Sequence, residues 1–396
     1  MIKCKLGKLL DVKRGASLSG EYYATKGNLI RLTLGNFNYP NGGFKENTAK
    51  EDIFFTGNVK PEFILKEGDI ITPLTEQVSG LLGETARIPE SDKYIQSGDI
   101  GLVIPDETKL NKLFAYYLVS SPIVKKQLGA AAQQTKIRHT SPAKIKDCEV
   151  WIPDLKYQEK AGKILDSINN KITNNTKIIS ELESMAKTIY DYWFLQYEFP
   201  NEKEKPYKSS GGKMVYNEEL KKEIPEGWKI GKCKDIVEVI TGKEDANFAT
   251  PNGKYKFFTC SQDISLCDIP KFKGSAVLIA GNGDFNVKHY TGEFNAYQRT
   301  YVLIPSETKY YSLLYISALY KIKSFQKGSN GSIVKFITKG DIEDIELIIP
   351  NNNKLLYKLN QYIFTIEKIK EENEELAKLR DELLPLLMNG QVSFKN

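Results

Sequence analysis

Two stretches of this chain repeat their apolar residues at alternating steps of three and four, and that restricts the fold more than anything else in the sequence. Between Gln158 and Trp193 the steps run through Leu165, Ile168, Ile172, Asn175, Ile179, Leu182, Ala186, Ile189 and Trp193. Between Lys354 and Leu387 they run through Leu359, Tyr362, Ile366, Ile369, Asn373, Leu376, Arg380, Leu383 and Leu387. Such alternation is a heptad seam on an α-helix, here with one asparagine near the middle of each. A helix of the first length spans roughly 54 Å. A stripe this narrow cannot bury itself, so each helix needs a partner. The expected arrangement is an antiparallel coiled coil in which Leu165, Ile172, Asn175, Ile179 and Leu182 pair with Ile366, Ile369, Asn373 and Leu376. The alternative is that each helix packs only on its own domain.

The remaining sequence is also repeated. Ile100–Pro105 matches Thr300–Pro305, and the match continues through Glu107-Thr108-Lys109 and Glu307-Thr308-Lys309 into helical runs near Leu113–Val119 and Leu313–Leu319. Ile145–Pro153 matches Ile342–Pro350, and Lys5-Leu6-Gly7-Lys8 matches Lys229-Ile230-Gly231-Lys232. A repeat of this length means two copies of one domain-plus-helix unit. Short β-branched runs such as Asp69–Thr72, Ala276–Ala280 and Glu346–Ile349, bounded by Gly, Asn and Pro, read as strands. The fold class is therefore α+β: two similar β-rich domains, each followed by a long helix, with pseudo-twofold symmetry. The expected boundaries are 1–155 for the first domain, 156–197 for its helix, 198–226 for a polar, Gly/Ser-rich exposed linker, 227–352 for the second domain and 353–396 for the second helix and tail. Asp154 and Asn351–Asn353 suit helix caps, and Pro385 should end or kink the second helix near its last turn.

Several chemistries are excluded. No apolar run approaches the ~20 residues of a membrane span, and the N-terminal residues lack the apolar core of a signal peptide, so the expected location is the cytoplasm. The five cysteines form no CxxC pair and there are only two histidines, which argues against a zinc site. An adenine-N6 methyltransferase signature needs adjacent prolines, and none of the 16 prolines adjoins another. No Walker A loop and no Gly-x-Ser-x-Gly elbow occur. Glu107-Thr108-Lys109 beside Asp106 resembles half of a nuclease site, but the second copy has Ser306 in place of that aspartate. No catalytic or metal-ligating residue is expected.

Binding has more material. Gln133–Ser141 is polar and basic, its counterpart is Lys327–Lys335, and the segments after Thr72 and Ala280 are similar in content. Gln and Asn can contact adenine bidentately, Arg and Lys can contact guanine, and Lys, Ser and Thr can contact phosphates. The candidate DNA contacts are Gln77, Gln134, Lys136, Arg138 and His139 in the first domain. In the second they are Asn282, Lys288, His289, Lys327, Asn330 and Lys335. A net charge of +6 permits a polyanion partner without demanding one.

Trp193–Pro200, Tyr207–Lys213, Ile224–Trp228 and the tail Leu379–Gly390 carry a resemblance that extends over essentially the whole chain. It resembles the specificity subunit of type I restriction–modification enzymes. Ile152-Pro153 with Gln158 matches that family's start of the first helix; at the second start Leu355 replaces the glutamine. The resemblance implies that each domain reads one half of a bipartite site in double-stranded DNA. It implies that the helices set the gap between half-sites and dock two methyltransferase subunits, joined by two restriction subunits. S-adenosylmethionine, ATP and Mg would serve those subunits. This one would bind no cofactor and carry out no chemistry.

Overall fold

The computed structural model describes residues 1–39, 42–76, 80–131, 138–283, 285–327 and 336–394. Residues 1–174 with 373–396 form one compact unit, and residues 175–372 form a second.

In the first unit a four-stranded sheet is built from β1 (Leu10–Arg14), β2 (Ile70–Pro73), β3 (Ala86–Arg87) and β4 (Ile100–Pro105), in the spatial order β1-β4-β2-β3. Successive side chains on a strand face opposite ways. Accordingly Ile70 and Val103 pack with Phe114 and Leu118 of helix α1 (Lys112–Val119), whereas Ile71 and Ile100 pack with Leu32, Phe37 and Leu65. The second unit repeats the plan with β5 (Val239–Thr241), β6 (Phe272–Ala280), β7 (Val287–Ala296) and β8 (Thr300–Leu303) in the order β5-β8-β6-β7, extended by Tyr255–Phe258 and Ser265–Cys267. Val277 and Ile279 face one core, and Ala276 and Leu278 the other.

Hydrogen-bond register aligns the copies. Val12 lies opposite Val103, and Val239 opposite Leu303. Gly15 N donates to Ile100 O, and Gly242 N to Thr300 O. Both glycines are sterically required: a Cβ would lie 2.3 Å from Ser97 O at Gly15 and 2.0 Å from Ala296 O at Gly242. One match from the sequence is corrected. Lys5 pairs with Glu149 and Lys232 with Glu346, so Lys5 corresponds to Lys232, and the Lys-x-Gly-Lys likeness is out of register. Ladder pairing outweighs the identity of a four-residue string.

The two long helices are α2 (Leu155–Tyr190) and, beyond α3 (Tyr311–Lys327), α4 (Asn353–Met388). Asp154 Oδ1 accepts from Tyr157 N at 2.9 Å, and Asn352 Oδ1 from Lys354 N at 3.0 Å, so the expected caps are in place. Pro385 lies in the last turn of α4, which ends at Met388. Within the first unit Asn169 meets Arg380 and Tyr157 meets Phe394, so the α2 segment and the C-terminal segment run antiparallel. Within the second, Asn175 Nδ2 donates to Glu372 Oε2 at 2.8 Å, and Glu183 pairs with Lys370. Leu165, Ile168, Asn175, Ile179, Ala186, Leu359, Ile366 and Leu387 are buried, and Ile172, Leu182, Ile369, Asn373 and Leu376 half-buried. The seam therefore faces inward as its spacing predicts.

Each helix is pinned to its domain by one amide. Gln158 Oε1 accepts from Asn111 N at 2.9 Å while Nε2 donates to Lys109 O and Pro153 O. Asn360 does the same with Ser312 N, Thr308 O and Lys309 O. The missing glutamine at Leu355 is thus replaced by an asparagine further along the helix. Gln158→Leu should strand these buried backbone groups and cost about 3 kcal/mol in chemical denaturation. A cost below about 1 kcal/mol would mean that water replaces the amide.

The expected exposed linker at 198–226 is also corrected. It is folded: Met214–Asn217 and Lys222–Pro225 form a hairpin, and Phe199 and Ile224 are buried. Phe199 stacks between Tyr207 at 4.5 Å and Trp228 at 4.7 Å, and Tyr197 and Phe194 meet the same indole. The polar composition hid these aromatic anchors.

Candidate nucleic-acid interface

In the first unit Thr75–Glu76 pairs with Arg138–His139, and Thr140 N donates to Leu74 O at 2.8 Å. Thr75–Glu76 and Arg138–His139, far apart in sequence, therefore form one ladder. Leu74 N in turn donates to Asp99 O. The second unit has the same arrangement, with Ile337 N donating to Gly281 O at 2.8 Å and Gly281 N to Arg299 O at 2.9 Å. Leu74 corresponds to Gly281, Asp99 to Arg299 and Thr140 to Ile337. The side chains on this common frame differ. The first rim presents Arg14, Asp99 and His139, all exposed; the second presents Thr241, Arg299 and Phe336 at the equivalent places, also exposed.

The second rim encloses an open recess of about 420 Å³ lined by Thr241, Asn282, Gln298, Arg299, Tyr301 and Phe336, among others. Phe336 is 65% exposed. The Arg299 guanidinium is exposed, and no acceptor meets it among the described residues. Gln298 is held by Asp245 at 2.8 Å. An unpaired guanidinium beside an exposed aromatic ring and an amide can read a guanine edge, contact phosphate and pack on a base or a thymine methyl. On the first rim the exposed Arg14 donates through Nε to Gly98 O at 2.7 Å, which leaves the other four N–H groups of its guanidinium out of that bond.

A sequence profile described as "Type I restriction modification DNA specificity domain" matches residues 3–184 and 225–378. The chain belongs to this specificity family. It is 38% identical over 177 residues to the type I restriction enzyme EcoDI specificity subunit of Escherichia coli, an alignment covering 43% of this chain and 40% of that subunit. It is 24% identical over 319 residues to the MjaIX specificity subunit of Methanocaldococcus jannaschii, covering 73% and 71%. The crystal structure of a type I restriction–modification S subunit from M. genitalium has the same fold, with a TM-score of 0.60 at 15% identity, over 100% of this chain and 96% of that one.

Among the contacts expected of this specificity chain, His139 and Asn282 lie on the two rims. Arg138 lies on the first ladder, but its guanidinium is engaged by buried Glu76 at 3.4 Å, whose other oxygen accepts from Gly80 N and Leu82 N. Arg138 thus braces the ladder. Gln77, Gln134, Lys136, Asn330 and Lys335 lie outside the described residues, as does the side chain of Lys327. Two expectations are corrected. Lys288 and His289 belong to strand β7, not to a loop. Lys288 Nζ donates to Ser261 O at 2.5 Å and Asn286 Oδ1 at 2.6 Å, and burial lowers its pKa. Its charge anchors the chain near Cys260 rather than a phosphate. The His289 side chain is 4% exposed and bonded to Glu367 at 2.7 Å. Arg14, Asp99, Arg299 and Phe336 were not singled out from the sequence. Strand register, together with the backbone bonds through Leu74 and Gly281, brings them to the rims, although the aromatic after Lys335 was a usable sign.

Proposed function

We propose that this specificity chain reads two different half-sites in double-stranded DNA, one with each unit, and that it is a non-catalytic subunit. The reading rests on one observation: three register-equivalent, exposed places on the two rims carry Arg14, Asp99 and His139 in one copy and Thr241, Arg299 and Phe336 in the other. A common frame with unlike side chains suits readers of unlike sequences. Two methyltransferase subunits, supplying S-adenosylmethionine chemistry, dock on the long helices and methylate adenine. Two restriction subunits, using ATP and Mg, join them for cleavage. Docking is supported by Ile178, Met185 and Tyr192, which recur at heptad spacing and are 43%, 48% and 40% exposed, off the buried seam. The helices set the gap between half-sites.

The test is to map adenine methylation in cells carrying the chain with its partner subunits. The expected result is a bipartite motif with a fixed gap and two unlike halves. Asp99→Ala should relax one half and Arg299→Ala the other. Relaxation of both halves by either change, or a continuous motif, would overturn the assignment.

A further inference from the structure

Each unit holds a carboxylate of a long helix between a basic strand residue and a tyrosine hydroxyl. In the first, Arg87 Nη2 on β3 lies 2.5 Å from Asp166 Oδ1 on α2, and the Tyr117 hydroxyl of α1 donates to the same oxygen at 3.3 Å. In the second, His289 Nδ1 on β7 lies 2.7 Å from Glu367 Oε1 on α4, and the Tyr311 hydroxyl of α3 donates to that oxygen at 2.5 Å. The two basic residues occupy the same place in the repeated sheet. Arg87 is opposite Ile70, which is opposite Val103; His289 is opposite Val277, which is opposite Leu303. Each also lies against a tyrosine of the helix that backs its sheet: Arg87 is 5.2 Å from the Tyr116 ring and His289 4.5 Å from that of Tyr315. The carboxylates are 17% and 15% exposed, so water competes little for them. In the first unit the chain of bonds continues from the Tyr117 hydroxyl to Asn169 at 3.0 Å and on to Arg380 of α4 at 3.3 Å.

Different residues thus make one device twice: a directional, charge-assisted tie between the sheet and the long helix. Apolar packing between a sheet and a helix resists separation more than it resists rocking, whereas a tie off the packing axis fixes the angle. The rim residues stand at the ends of strands in the same sheets. For a domain of this size, rocking by about 10° on a lever of about 20 Å moves a rim about 3.4 Å, one base-pair step along DNA. We propose that Arg87–Asp166–Tyr117 and His289–Glu367–Tyr311 are clasps that set the angle of each reading sheet on its helix, and thereby decide which spacer between half-sites is accepted. These are positioning residues, and the inference rests on the DNA-reading function above.

The experiment uses the chain assembled with its methyltransferase subunits and DNA carrying both half-sites at the preferred spacer, one base pair shorter and one longer. For the unaltered chain the preference over a one-base-pair change is expected to be about tenfold. Arg87→Met or Glu367→Gln should reduce it to about twofold and leave discrimination within each half-site unchanged. Arg87→Lys, which keeps the ion pair, should retain most of the preference. Tyr117→Phe serves if a stronger variant fails to assemble. An unaltered spacer profile, or lost discrimination within a half-site, overturns the proposal. A double-mutant cycle of Arg87→Met and Asp166→Asn in urea denaturation, which needs no DNA, separates the two readings. Non-additive losses support the clasp even if the DNA assignment fails, and additive losses sink it.

Discussion

Replacing Trp228 with alanine should destabilise the second unit by about 3–5 kcal/mol, the usual cost of removing a buried large aromatic side chain. The indole is 6% exposed and is the common contact of Phe194, Tyr197 and Phe199, which follow the end of α2. Its loss would open a cavity where three chain segments meet, and would release Tyr207 through its stack on Phe199. Since domains are stable by only about 5–15 kcal/mol, much of the unit's stability should go. Urea denaturation followed by circular dichroism would measure it, with Tyr216→Ala as control. Tyr216 is 58% exposed on the hairpin and should cost no more than about 0.5 kcal/mol. Equal effects of the two changes would return residues 198–226 to the status of a linker.

Arg299→Ala should weaken binding of the complex to DNA carrying the second half-site by about 10- to 100-fold, the range for one lost bidentate base contact. If the guanidinium meets phosphate instead, the loss should be similar for every sequence, and the slope of log affinity against log salt should fall by about 1. Phe336→Ala, by removing a stacking surface, should cost about 10-fold or more. Neither should alter selectivity for the first half-site, whose equivalent places are held by Asp99 and His139. Competition binding with DNA altered in one half-site at a time would distinguish these outcomes. Normal affinity in both variants would mean that the recess beside Phe336 is not part of the interface.

The helical part of the molecule was legible because its periodicity is local. Every seam residue from Leu165 to Leu182 and from Ile366 to Leu376 is buried or half-buried. The candidate site was legible only as neighbourhoods. Asn282 and His139 were named because polar residues flank predicted strands, and both stand on the rims. His289 was misplaced for the same reason: composition does not distinguish a loop histidine from one that points from a strand into a cluster with Glu367 and Tyr311. The Lys-x-Gly-Lys likeness failed because a short string carries no register, whereas Gly15 and Gly242 mark the true correspondence by the backbone that crowds them.

By itself the sequence determined the duplicated plan, the two long helices and the family, since heptad spacing and long internal matches depend on residue order alone. Tertiary structure decided which side chains reach the rims, which tie sheet to helix, and that residues 198–226 are folded. Those outcomes depend on strand register and on contacts between distant segments, where a shift of one residue along a strand reverses the face its side chains present.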